Sequence, residues 1–165
     1  MDTQSKLIPI QNTKSADTSS ADFLKEIEID VLARTLWGEA RGEGSTGMEA
    51  VASVILNRVE IAKHHANNSG GYWWGNTIIQ VCQKPYQFSC WNKLDPNFKK
   101  LTSVTADDMH FATALRVARR AVLGFIKDAT LGATHYHTLN ILPDWAKGRK
   151  PTARIGHHVF YTIVD

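Results

Sequence analysis

"LARTLWGEARGEGSTGMEAVASVILNRV", residues 32–59, holds two apolar helical stripes separated by a short run of glycines. In the first half, at about 100° per residue, Ile29, Leu32, Leu36 and Ala40 form one stripe while Asp30, Arg34 and Arg41 gather opposite. Gly38, Gly42 and Gly44 make continuation costly, about 1 kcal/mol per interior glycine relative to alanine. A first helix is therefore predicted to stop between Gly38 and Gly42. In the second half Met48, Val51, Ala52, Ile55 and Val59 recur at helical spacing, and Thr46 stands three residues before Glu49 in a capping-box arrangement. This predicts a second helix from about Gly47 to Val59, joined to the first by a tight corner and packed against it.

Two acids at that corner break the pattern. Glu39 and Glu43 project close to the direction of Leu32, on the apolar side of the segment. A carboxylate placed there either has a partner or is partly desolvated, and desolvation raises its pKa. The negative end of the helix dipole acts on Glu39 in the same sense. A carboxyl that keeps its proton near neutral pH is what a general acid requires. The spacing equally admits a structural glutamate paired with an arginine.

Outward from this corner, residues 63–76 read as a loop carrying Trp73 and Trp74, and "NTIIQVCQ" fits either a short helix or a strand. "KPYQFSCW" and "NKLDPNF", punctuated by Pro85 and Pro96, are expected to be irregular and to carry Tyr86, Phe88 and Trp91. A third helix is predicted from a cap near Thr105 and Asp108, through Phe111, Ala114, Leu115, Ala118 and Val122, to Gly124. Beyond it, "GATHYHT" and "ARIGHHVFYTIV" have strand composition. They predict a small antiparallel pair beside a helical body, with "ILPDWAKGRKPT" as a long connection and Trp145 as a packing anchor within it.

The chain has 165 residues, enough for one domain with a sizeable core, and its apolar fraction of 43% argues for a folded protein. Residues 1–22, polar and lacking a basic stretch followed by an apolar run, read as a flexible lead-in with no secretory signal; the domain is expected over residues 23–165. No segment reads as a membrane span. The net charge of +3 comes from scattered cations, so nucleic acid is not an expected partner, while an anionic polymer would suit the charge.

Chemistry-bearing residues outside the corner are few. His135 and His137 flank Tyr136 on a predicted strand and share a face, but spacing supplies no third ligand for a metal. Cys82 and Cys90 are too few for a zinc ribbon and too far apart for a redox CxxC pair. A local disulfide and two buried thiols are both open. Cys90 with a downstream histidine could form a nucleophilic pair, although no helix start is predicted there to stabilise a thiolate. The glycines of "GEARGEG" follow a helix instead of a strand, so phosphate-cofactor chemistry has no support and no cofactor is expected.

Taken together, "ARTLWGEARGEGSTGMEAVASVILNRV", "VCQKPYQFSCW" and "GATHYH…LPDWA…RIGHHVFY" resemble the cell-wall hydrolase family of the spore cortex-lytic enzymes, over about residues 31–161. The resemblance implies a mainly helical α+β fold, lysozyme-like and similar to the lytic transglycosylases, in a single domain acting on peptidoglycan glycan strands. It also implies that Glu39 is the acid/base residue, cleaving between N-acetylmuramic acid and N-acetylglucosamine with closure of a 1,6-anhydro ring. Glu43 is then a substrate-orienting residue, a hydrogen-bonding partner of the corner loop, or the second carboxylate that simple hydrolysis needs. Gln87, Phe88, Ser89, Trp91, His135 and Tyr136 are expected along the binding cleft.

Two departures from the spore enzymes stand out: the start has no export leader or wall-binding repeat, and "HHANNSGGYWWGN" looks like an insertion. These features read as a monomeric phage or prophage lysin, made in the cytoplasm and released to the wall by a holin. A non-catalytic peptidoglycan-binding module and a Cys- or metal-dependent wall peptidase or amidase are the competing readings.

Overall fold

The computed structural model describes residues 13–65 and 71–164, the side chains of the first five of these excepted. Its longest element, α1 (Thr13–Ala40), runs through the helical body and ends as the glycines predict. Ile29, Leu32, Leu36 and Ala40 are all buried, but so are Val31, Ala33, Thr35 and Trp37. Packing therefore surrounds this end of the helix. Arg34, expected on a solvated face, instead holds Asp30 and donates to the carbonyls of Leu101 and Val104 at 2.6 and 3.2 Å.

Residues 13–22, read from the sequence as part of a flexible lead-in, form the first turns of α1; residues 1–12 lie outside the described residues. Once the packed half has nucleated the helix, each further residue adds one backbone hydrogen bond for one pair of fixed dihedrals. A little further along α1, Arg119 holds Glu26 at 2.9 and 3.0 Å.

A 3-10 turn (Arg41–Glu43) makes the corner and leads straight into α2 (Gly44–His64), with Gly44 at φ +68°. Thr46 and Glu49 lie inside α2, so the predicted capping box does not form; Glu49 pairs with Arg120 at 2.7 Å. Met48, Val51, Ala52, Ile55 and Val59 face the helical core with Leu32 and Leu36. Ala50 and Val54 face a second cluster with Ala133 and Phe160. Thus α2 is the partition between a helical core and a sheet core.

Of the two alternatives for "NTIIQVCQ" the structure has the helix, α3 (Ile78–Gln83); a second short helix, α4 (Phe98–Ser103), lies where irregular structure was expected, with a 3-10 turn at Ser89–Trp91 between them. Of the "HHANNSGGYWWGN" segment, residues 66–70 lie outside the described residues. The last helix, α5 (Met109–Val122), starts on Asp108 instead of Thr105: the Asp108 carboxylate accepts from the Phe111 N–H at 2.9 Å and from the Trp37 indole at 3.2 Å. Among the described residues no helix is long and apolar enough to cross a membrane.

The C-terminal sheet has three antiparallel strands where a pair was expected: β1 (His135–Thr138), β2 (Ala153–Ile155) and β3 (His158–Tyr161), in the order β1-β3-β2. "ARIGHHVFY" is a hairpin, because Gly156 at φ +57° turns the chain between Ile155 and His158. In the register, Tyr136 lies beside Phe160 and Thr138 beside His158. The Tyr136 and Phe160 side of the sheet packs onto α2, and Tyr136 touches both cores. The other side carries His135, His137 and Tyr161, clustered with Trp145 at ring distances of 5.4–5.8 Å.

Candidate active site

Glu39 sits in the last turn of α1, where its helix meets the sheet. The Tyr136 hydroxyl, from β1, donates to Glu39 Oε2 at 2.8 Å. Cys90, in the 3-10 turn after α3, presents its thiol and backbone N–H to the same carboxyl. That approach depends on Gly38, because a Cβ there would lie 2.7 Å from the Cys90 Cβ and 2.9 Å from its Sγ. Desolvation is the dominant influence on Glu39 and raises its pKa above the usual carboxyl value. The bonds from Tyr136 and Cys90 oppose it, and the nearby negative charge of Asp95 reinforces it. Burial and the Glu39 charge likewise keep Tyr136 a neutral donor.

The carboxyl opens onto a cleft of about 540 Å³ between the helical body and the sheet. Of the residues expected there, Gln87, Phe88, His135 and Tyr136 line it with Glu39. Two do not. Ser89 is exposed at the start of its 3-10 turn, and Trp91 is turned the other way, donating to Thr35 Oγ1 at 2.9 Å and facing an adjoining groove. The tight turn separates these side chains from Gln87 and Phe88, where an extended strand would have kept alternate ones together.

Glu43 is also absent from the cleft. It reaches across to the β2–β3 turn, accepting from the His157 N–H at 3.2 Å and meeting His157 Nδ1 at 2.9 Å. The corner of the helical body is thereby tied to the sheet. Among the described residues Glu39 is the sole carboxyl lining the cleft.

Both cysteines are buried free thiols. Burial pushes Cys82 up to about 12, and burial together with the Glu39 charge pushes Cys90 higher still. A thiolate nucleophile at Cys90 is thus disfavoured. Among the described residues no three His, Cys, Asp or Glu side chains are grouped as metal ligands; His137 Nε2 meets the Tyr161 hydroxyl at 3.1 Å instead.

A sequence model of the cell wall hydrolases matches residues 42–161. The chain belongs to the cell wall hydrolase family. Within it, the spore cortex-lytic enzymes of Halalkalibacterium halodurans and Bacillus subtilis are 32% and 31% identical over 136 residues. These alignments take in 81% of this chain but only 34% and 37% of the relatives, so the chain spans little more than a third of their length.

Two solved structures of the family are also similar. The catalytic domain of the Bacillus cereus SleB protein has a TM-score of 0.58 at 28% identity, covering 81% of this chain and 88% of that one. The catalytic domain of the germination-specific lytic transglycosylase SleB from Bacillus anthracis has a TM-score of 0.59 at 25% identity, covering 93% and 98%. The fold is accordingly the mainly helical, lysozyme-like α+β architecture that the resemblance implies.

Several cleft residues lie outside the set expected to bind: Arg58, Trp73, Tyr86, His137, Trp145 and Arg149. For Arg58 the signal was present. It follows Ile55 by three positions on the apolar stripe of α2, the same kind of misplacement that singled out Glu39. Trp145 was read as packing, and it does pack, yet at 37% exposure one side of the ring faces the cleft.

Proposed function

We propose that this protein cleaves the glycan strands of peptidoglycan between N-acetylmuramic acid and N-acetylglucosamine, as a lytic transglycosylase with Glu39 as its one acid/base residue. The observation that carries this reading is a carboxyl that stands alone on the cleft wall among the described residues, desolvated and held by Tyr136. Protonated Glu39 donates its proton to the linking oxygen as the bond to the muramoyl C1 breaks. The resulting carboxylate then takes the proton of the muramoyl 6-hydroxyl as O6 bonds to C1, closing the 1,6-anhydro ring and restoring the acid. No water is consumed and no second acid is needed. A retaining or inverting hydrolase usually needs a second carboxylate, about 5–5.5 or 6.5–9.5 Å away respectively, and Glu43 is engaged with His157 instead.

Tyr136 orients the carboxyl, and the aromatic faces of His135, Trp73 and Trp145 offer stacking surfaces to sugar rings. The test is mass spectrometry of fragments released from purified peptidoglycan by the wild type and by Glu39→Gln. Anhydro-muramic ends, absent with the variant, are the expected result. Reducing-end muramic acid would mean hydrolysis, and cleaved stem peptides with intact glycans would overturn the glycosidic reading.

A further inference from the structure

Arg58 lies on the inner wall of the same cleft with only 6% of its surface exposed. Guanidinium groups this deeply placed are ordinarily paired with an anion, because desolvating an unpaired charge costs several kcal/mol. Arg58 has no such partner among the described residues. Its Nε–H donates to the Thr134 carbonyl at 2.8 Å, and Nη1 donates to Gln87 Oε1 at 3.3 Å, both neutral oxygens. Among the described residues Nη2 has no acceptor, and it is not a sealed buried atom.

Around the charge, the rings of Trp74 and Phe88 lie 5.4 and 5.6 Å from the guanidinium carbon. They fix its plane and offset part of the desolvation. Neither contact needs the remaining N–H groups. A neutral donor would serve Thr134 and Gln87 equally well, so these hydrogen bonds give no reason for a full charge here. A second cation, Arg149, also lines the cleft, with its Nε–H spent on the Trp145 carbonyl. When Glu39 is protonated, the two arginines leave the lining with net positive charge.

We propose that Arg58 is an anion subsite of the cleft, receiving a carboxylate carried on the muramic acid residue: that of the lactyl group itself or of the attached stem peptide. The inference rests on the glycan-cleaving reading of the site. Nη2, which has no acceptor among the described residues, leaves its N–H groups for a carboxylate, whose charge the guanidinium complements. The subsite selects a carboxylate-bearing strand over a neutral polymer of N-acetylglucosamine, and it fixes which sugar lies on which side of Glu39.

The test compares initial rates on four glycan preparations. Strands stripped of stem peptides, which bear free lactyl carboxylates, are used before and after conversion of those groups to neutral methylamides. Peptide-bearing strands are treated in the same two ways. For the wild type, neutralisation is expected to lower kcat/KM about tenfold or more, chiefly through KM, as for loss of a hydrogen bond to a charged group. A drop in the stripped pair assigns the lactyl carboxylate; a drop confined to the peptide-bearing pair assigns the peptide carboxylate. Arg58→Gln should cleave charged and neutral members of the pair at equal rates. Because that variant also weakens the Thr134 bond, the wild-type ratios decide the matter if it does not fold. Equal wild-type rates within both pairs would overturn the subsite while leaving glycan cleavage intact. Failure to cleave any preparation would overturn the glycan-cleaving reading beneath it.

Discussion

Glu39 holds its proton against the ordinary tendency of a carboxyl because desolvation outweighs the bonds from Tyr136 and Cys90. This has a thermodynamic signature. The folded-state pKa is raised above the ordinary 4.5, so above that pH the unfolded chain releases a proton that the folded one retains. Stability therefore falls as pH rises from the ordinary value through the folded one. Glu39→Gln removes this dependence. The variant should melt above the wild type at neutral pH, with the difference closing as the pH approaches 4.5, while activity drops about 10²–10⁴-fold. Thermal melts across pH, paired with turbidity loss of peptidoglycan, check both halves.

Tyr136→Phe acts on the same proton from the other side. Removing the donor withdraws an interaction that favours the carboxylate, so Glu39 moves further up. The alkaline limb of the pH–rate profile should shift to higher pH, with a rate loss of about tenfold at the optimum. An unshifted limb would dissociate Tyr136 from the titration of Glu39. Glu39 was legible in the sequence because one acid on an apolar stripe is a local anomaly. Its hydroxyl partner was legible only as a resemblance, since nothing in "THYHT" shows where its strand will lie.

At the scale of elements, the glycines in and around the corner have different duties. Sequence reads Gly38, Gly42 and Gly44 alike as helix breakers, and α1 does end among them. Gly44 turns the chain at positive φ, whereas Gly38 is inside the helix and clears space for Cys90. Gly38→Ala gains about 1 kcal/mol in helix propensity but drives a Cβ into Cys90 and to 3.3 Å from Leu101. Overpacking of this kind costs about 1–3 kcal/mol, so net destabilisation is expected, with reduced activity as Cys90 is pushed from Glu39. Denaturant melts and rates on the same preparation measure both effects. The helices with long apolar periods were readable from spacing. Short α4 and the Gly156 hairpin were not, because six residues or a two-residue turn carry too little periodicity to register.

For the molecule as a whole, Glu43 serves as a fastener between the helical body and the sheet. Neutralising it in Glu43→Gln weakens its contacts with His157 and should cost about 1–2 kcal/mol of stability. Cleavage should continue, in contrast to Glu39→Gln. Loss of activity equal to that of Glu39→Gln, in a variant that melts normally, would make Glu43 a participant in the chemistry. The cleft itself was the least legible feature, because its walls come from α1, α2, the α2–α3 and α3–α4 connections, β1, the β1–β2 connection and the segment after β3. Only the packing of the sheet on α2 brings Arg58 and Tyr136 to the side of Glu39.

The strand order also sets when the acid can acquire its setting during synthesis. Glu39 and Tyr136 are 97 positions apart, and among the described residues the strand bearing Tyr136 has β3 as its sole strand neighbour. As the ribosome delivers the amino-terminal helices first, they can collapse around α1 while the tyrosine has no template to dock upon. Only when residues 158–161 emerge can the ladder close and bring the hydroxyl to the carboxyl. On the proposed reading of Glu39, the completed acid site is thus among the last features that the growing chain can gain.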